Sequence, residues 1–342
     1  MTIQGYNLSA ILNGTVKASK SIICINQLMQ SIGLKENDFE NKKKYFDWQY
    51  LAKGLEQARL ISKNEHIGIE TGKIFSPIGF GPEMGFFLQV CPDIATAAKG
   101  ACAAGEIIGG VTKFSYKENA YDATIAYKSL NEWLAKMPES YRVCAEFNSA
   151  ASINIVNFLS QGAIQAPHSI HFEHQEEKGM KEAYRKTFGD NISFVFGQSE
   201  SAVVFYTEKM KMKNPIFDEN TYKQHLAQLE LRKNQVNQQL SFSEKTRLLL
   251  KEHFISQSEY LSLEEVANHF HLSARVLQRH FEKENTTWIE IKNQVKKDWI
   301  IDNFDYLSTS QMADALQFGN VGNFSRWFKG VFTVSPEHYK RG

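Results

Sequence analysis

The sequence predicts an α+β N-terminal domain followed by an all-α C-terminal domain with two tandem helix-turn-helix units. Three observations carry that expectation. Residues 1–207 alternate helical and strand patterns, whereas after residue 243 the hydrophobic period is helical throughout. Within the second region one pattern occurs twice: Leu277-x-Arg279-x-Phe281 returns as Phe324-x-Arg326-x-Phe328, 47 positions on, and a repeat sets the architecture before any single motif does. At 342 residues the chain is long for one core, so two domains, 1–207 and 243–342, joined by a segment at 208–242 are expected.

In the N-terminal region, FDWQYLAKGLEQARLISK places Tyr50, Leu51, Leu55, Ala58 and Ile61 at helical spacing. Asp93 is positioned to cap the small-residue helix CPDIATAAKGACAAGEIIGGV. YDATIAYKSL alternates as a strand does, and YRVCAEFNSAASINIVNFLSQG reads as a long apolar helix ending at Gly162. SIHFEH, NISFVFG and SAVVFYT are short β-rich runs bounded by Pro167, Gly189 and Gly197.

From residue 208 the character shifts to charged, and Pro215 ends the strand patterning. TYKQHLAQLELRKNQVNQQL then sets Tyr222, Leu226, Leu229, Val236 and Leu240 near heptad spacing, with Lys233 interrupting the seam. Two readings stand side by side: a dimer helix, or a helix packed on its own domain.

The C-terminal region opens with SEKTRLLLKEHF, for which Ser243 is the expected N-cap. SLEEVANHF begins with a capping box, Ser262 and Glu265, and SARVLQRHFEKEN begins at Ser273. TTWIEIKNQVKKDWIIDNF is amphipathic through Trp288, Ile291, Val295, Trp299 and Ile300. Then the pair repeats as STSQMADAL and NVGNFSRWFKGVF. Val266, Ala267 and Phe270 correspond to Met312, Ala313 and Leu316 at an offset of 46, and the later helices at 47, so the second turn is one residue longer. In a helix-turn-helix the later helix enters the major groove.

With Leu277 and Phe281 inward, Arg275, Gln278 and Arg279 fall on the outer face. Arg suits guanine and Gln suits adenine, and the helix start at Ser273 offers amides to a phosphate. The helix Thr287 to Asn303 spans roughly 25 Å and could set the two later helices about one DNA turn, ~34 Å, apart. Residues 241–342 hold 13 Lys+Arg against 13 Asp+Glu, so a basic face must come from placement, with Arg275, Arg279, Lys283, Arg326 and Lys329 on one side.

Composition excludes several classes. Net charge is +1 and names no partner by itself. Cys24, Cys91, Cys102 and Cys144 are scattered without a C-x-x-C pair, which argues against zinc and disulfides and suits a reducing cytoplasm. No secretory leader and no membrane span are read. His168, His171 and His174 stand at three-residue steps, but strand geometry turns His171 and His174 apart, so a structural role is favoured over a metal site. GQSES nearly spells a nucleophile elbow but ends in Ser201. GFGPEMG lacks the context of a phosphate loop, and NKKK before Tyr45 reads as a solvated turn. No catalytic residue, metal or cofactor is expected.

LSARVLQRHFEKENTTW and MADALQFGNVGNFSRWFKGVFTVSPEHYK, with Phe318, Phe324, Arg326, Phe328, Lys329, Pro336 and Tyr339, resemble the DNA-binding module of AraC/XylS bacterial transcription regulators over about 100 C-terminal residues. QSIGLKENDF, NEHIGIETGK, GFFLQVCPDIATAA, SIHFEHQEE and YRKTFGDNISFVFGQSESAVVF are similar to the "arabinose-binding" type regulatory domain of the ornithine- and virulence-type regulators. The resemblance implies that Arg275, Gln278 and Arg279 read bases, that Asn320, Val321 and Asn323 face a second groove, and that Arg326 holds a phosphate. The family usually has Gly where this chain has Asn285, Gln317 and Thr333; Gln and Thr tolerate a left-handed backbone poorly, so Gly319 is the expected place for the second turn to be absorbed. Val321 and Gly322 cannot hydrogen-bond to base edges, so the first helix should carry most specificity.

The resemblance implies a cytoplasmic, sequence-specific transcription activator acting as a homodimer, with promoter DNA, RNA polymerase and a small-molecule effector of the N-terminal domain as partners, and no membrane. Its effector and effector residues are not identified by the sequence. A regulator without an effector, controlled by abundance or a protein partner, is the alternative; a DNA-binding module fused to an enzyme is a further one. An effector sensor predicts an apolar-lined cavity with a few polar groups in the first domain.

Overall fold

The computed structural model describes residues 2–41, 44–105, 111–239, 241–257, 261–304 and 307–339, without side chains at 2, 236–239, 251, 252, 255–257 and 302. It divides into two compact units, Met1–Asn234 and Gln235–Gly342.

The first unit runs β1 (Thr2–Gln4), α1 (Gly5–Ala18), α2 (Ile25–Ser31), β2 (Tyr45–Asp47), α3 (Trp48–Ser62), α4 (Ile67–Lys73), α5 (Pro82–Val90), α6 (Ile94–Ala103), β3 (Thr112–Glu118) and β4 (Asp122–Ser129). It continues through α7 (Asn131–Lys136), α8 (Pro138–Leu159), β5 (Ser169–His171), α9 (Met180–Phe188), β6 (Ser193–Val195), β7 (Ser201–Tyr206), α10 (Thr207–Met210) and α11 (Glu219–Gln239), whose residues from 235 on belong to the second unit. β1 and β2 form an antiparallel pair, and the main sheet has the order β3-β4-β7-β5-β6. Its pairs are antiparallel except β5–β6. The four strand patterns and the long helix expected from the sequence are all present. Asp93 caps α6 by accepting from the Thr96 amide at 2.7 Å, and Gly162 takes a φ of +86° after α8.

α8 is the organising element. Every residue from Ser140 to Ala151 is buried, as a helix enclosed on all sides requires. It gives Val143, Cys144, Phe147 and Ala151 to a core with α1, α3 and α4. Ala145 and Val156 enter a second core against α6 and the sheet, and Ala150 enters a third under β5, β6 and α9.

The second unit is helical: α12 (Phe242–Gln257), α13 (Leu263–His269), α14 (Ala274–Lys283), α15 (Trp288–Asn303), α16 (Thr309–Ala315) and α17 (Val321–Phe332). Two parallel cores repeat one plan. Leu250, Val266, Ala267, Leu277, Phe281, Ile291 and Val295 form one; Phe254, Ile300, Met312, Ala313, Leu316, Phe324 and Phe328 form the other. Ala267 and Ala313 lie at the same place in each, as expected for close helix crossings. α12 and α15 contribute to both.

Two local expectations are corrected. α12 starts at Phe242, so Ser243 is not its cap. Ser241 is: its hydroxyl accepts from the Glu244 amide and its own amide donates to the Glu244 carboxylate. Gly319 does not absorb the second turn; Gln317 adopts the left-handed conformation itself, at φ 57°. NKKK falls partly on residues 42 and 43, outside the described residues. No helix among the described residues is long and apolar enough to cross a membrane.

Candidate functional site

Two features carry chemistry, one in each unit. In the second unit, α14 begins at Ser273, whose hydroxyl accepts from the Val276 amide at 3.3 Å. Leu277 and Phe281 are buried, which leaves Arg275, Gln278, Arg279 and Lys283 exposed on one side. Among the described residues neither Arg275 nor Arg279 takes part in an ion pair. Their guanidinium groups are therefore available to an external acceptor.

α17 is capped by Asn320, whose side-chain oxygen accepts from the Asn323 amide at 2.8 Å. That occupies the oxygen of one residue expected to face a groove. Val321, Asn323, Arg326 and Lys329 are exposed, while Phe324 and Phe328 are buried. α15 holds α17 in place: Trp327 Nε1 donates to Asn293 at 2.8 Å. The Lys296 ammonium sits 4.1 Å from the Phe318 ring centroid and donates to the Leu316 carbonyl at 3.3 Å. Burial pushes Lys296 down to about 8.

The two helix pairs turn by one device. His271 and Gln317, 46 positions apart, have φ of 56° and 57°. The Leu272 amide then donates to the Ala267 carbonyl, and the Phe318 amide to that of Ala313, each at 2.9 Å. This is the Schellman closure, built without glycine. Asn285 and Thr333 end the later helices in the same backbone region, at 55° and 66°.

In the first unit, a cavity of about 70 Å³ lies between α6, α8 and the sheet. Ile94, Ala98, Ala101 and Cys102 line it from one face of α6; Ser152, Ile155, Val156 and Leu159 line it from one face of α8. Both sets follow helical spacing. Phe114 of β3 and Ile125 of β4 close it from the sheet, and Phe80 and Leu88 from the side. Burial pushes the Cys102 thiol up to about 12, so it stays neutral.

The three histidines do not converge. His168 Nε2 lies 3.0 Å from Asp122, while His174 Nε2 lies 3.1 Å from the Tyr184 hydroxyl. No group of three metal-ligating side chains occurs among the described residues. His174 belongs instead to a cluster around the fully buried Glu146, which accepts from Arg142 and Tyr184 at 2.7 Å each. His66 Nδ1 lies 3.2 Å from the same oxygen. Burial pushes His174 down to about 4, against the partial opposition of Glu146. Ser201 of GQSES is buried in β7 and its hydroxyl accepts from the Glu173 amide, which explains it as structure. In GFGPEMG, Gly81 precedes α5 at φ 99° and Gly85 packs on Ile78.

In α11, Tyr222 lies against Phe87 and His225 against Phe86, with ring centroids 6.0 and 5.8 Å apart. Leu229 is buried and Leu226 half-buried in the first unit. The Val236 side chain and Leu240 lie outside the described residues.

The arabinose-binding domain of AraC transcription regulators (N-terminal) matches residues 24–214. No curated protein matches the chain. A similar solved structure is the transcriptional regulator CdpR from Pseudomonas aeruginosa, 15% identical over 97% of each chain with a TM-score of 0.47. With more than half its length covered by that domain, the chain belongs to the AraC-type transcription regulators.

Proposed function

We propose that the chain is a sequence-specific DNA-binding activator of transcription whose second unit carries two helix-turn-helix units, α13–α14 and α16–α17. The duplicated helix pair supports this most directly. Its two later helices are held by matched cores, and their outer faces carry Ser273, Arg275, Gln278 and Arg279 on α14 and Asn320, Val321, Asn323, Arg326 and Lys329 on α17. Arg275, Gln278 and Arg279 read bases, and Arg326 and Lys329 grip phosphate. The first unit binds a small-molecule effector in the cavity between α6 and α8, and a homodimer forms through the α11 residues Tyr222, Leu226, Leu229 and Val236. Promoter DNA and RNA polymerase are the partners. Effector control requires the ligand to bind the DNA-competent state more tightly.

Enrichment of a random DNA library on the full-length protein tests the reading. The expected product is a motif with two conserved blocks about one helical turn, ~34 Å, apart. Recovery of no motif would overturn it.

A further inference from the structure

We propose that the cavity between α6 and α8 takes an uncharged aliphatic group carrying at most one hydrogen-bonding function, and does not take a sugar. The inference rests on the effector reading above and names the chemistry of that same site. Among the described lining residues none is charged, and only Ser152 and Cys102 have polar atoms in their side chains. The rest of the wall is methyl, methylene and ring carbon from residues such as Ile94, Ala98, Ile125 and Val156.

A sugar or an amino acid placed there would lose the hydration of several polar groups and find one hydroxyl to replace it. Buried polar groups without partners oppose binding. An alkyl group loses nothing comparable and gains contact with a wall that water solvates poorly. Size narrows the choice further. About 70 Å³ is roughly half the ~150 Å³ apolar cavity that holds benzene, so the hollow encloses a few carbons of a chain and leaves the rest at its half-buried rim. Half-buried residues on both helices, Ala101 and Cys102 of α6 and Ser152, Ile155 and Leu159 of α8, form the rim at which such a chain enters. Ser152, one turn before Ile155 and Val156 on the same face of α8, is placed to meet its polar end.

Isothermal calorimetry on the full-length protein, with 1-hexanol as probe and L-arabinose as polar counter-probe, tests this. Saturable hexanol binding with a negative heat-capacity change is expected, that sign being the mark of apolar burial, and arabinose should give no heat. Hexanol should slow methylmercury binding at Cys102, which displaces the proton of a neutral thiol, several-fold and leave the exposed Cys24 unchanged. Ala98→Phe, which fills the cavity, should weaken hexanol at least tenfold; the wild-type Cys102 protection stands independently if that variant does not fold. Absence of saturable hexanol binding, or arabinose binding that protects Cys102, would overturn the proposal. Hexanol that binds and protects Cys102 while DNA affinity stays constant supports the ligand class and removes effector control instead.

Discussion

Gly68 of α4 lies directly against Val143 of α8: a Cβ built on the glycine would stand 2.2 Å from the Val143 carbonyl oxygen. One turn on, Gly72 would meet the Phe147 carbonyl at 2.5 Å. The obstacle is backbone, so no side chain can swing aside to make room. Gly68→Ala should destabilise the first unit by about 1–3 kcal/mol, the range for overpacking a close-packed interior. Hydrogen exchange of the α8 amides measures it, with Gly105→Ala, which would touch nothing within 4 Å, as control. Equal protection in both variants would refute the account.

Gln317 sits in the left-handed region at φ 57°, where a side chain is strained and glycine is not. Gln317→Gly should stabilise the second unit by about 1 kcal/mol, the lower end of the cost of a left-handed L-residue. The rise should appear in the urea midpoint followed by Trp299 and Trp327 fluorescence in a protein whose other tryptophans are replaced. Gly319→Ala, whose Cβ would meet nothing within 4 Å, should leave the midpoint nearly unchanged.

His174 has its proton affinity pushed down to about 4 from 6.5 by burial. An unfolded chain therefore binds this proton between those values and the folded one does not. Stability must fall as pH drops from 6.5 towards 4, and this group adds nothing to the slope above 6.5. In His174→Gln the fall over that window should be shallower, so the stability gap between wild type and variant should narrow on acidification. A gap constant with pH would show that His174 does not titrate in this way.

Arg279→Ala should cost ~1–3 kcal/mol of specific binding and relax sequence preference, as loss of a base-reading residue does. Arg326→Ala should weaken binding to all sequences alike and reduce its salt dependence. Anisotropy titrations on the enriched site and a scrambled one separate the two. Equal loss of discrimination in both variants would reverse the assignment of specificity to α14.

Leu226→Glu should yield monomers in sedimentation if α11 carries the dimer seam. Leu226 is only half-buried in its own unit, so the charge can be tolerated by the monomer. A persisting dimer would place the interface elsewhere.

The repeat was legible because its signals are local: Ser262, Ser273 and Ser308 mark helix starts within three residues of the amides they cap. The cap of α12 was not, because two serines compete and the decision is made 41 positions away. The Glu284 carboxylate accepts from the Phe242 and Ser243 amides, so Ser243 is already inside the helix. The role of Gly68 and Gly72 was hidden for the same reason, since their partner lies some 75 residues further on. Glu146 reads as one polar residue in an apolar run until Arg142, Tyr184 and His66 are brought to it. α6 and α8 were legible as a small-residue helix and a long apolar one, but neither pattern can tell a lined hollow from a filled core.

The position of α8 has a consequence for the chain while it is being made. The core formed by α1, α3 and α4 is closed by Val143, Cys144, Phe147 and Ala151, all translated long after the residues they cover. With synthesis at about 5–20 residues per second, those first helices emerge and wait several seconds for their fourth wall. Gly68 and Gly72 present bare backbone during that interval. The first unit therefore commits to its structure late: α8 closes the first core when it arrives, and the other two close only after β5 to α10 have followed it.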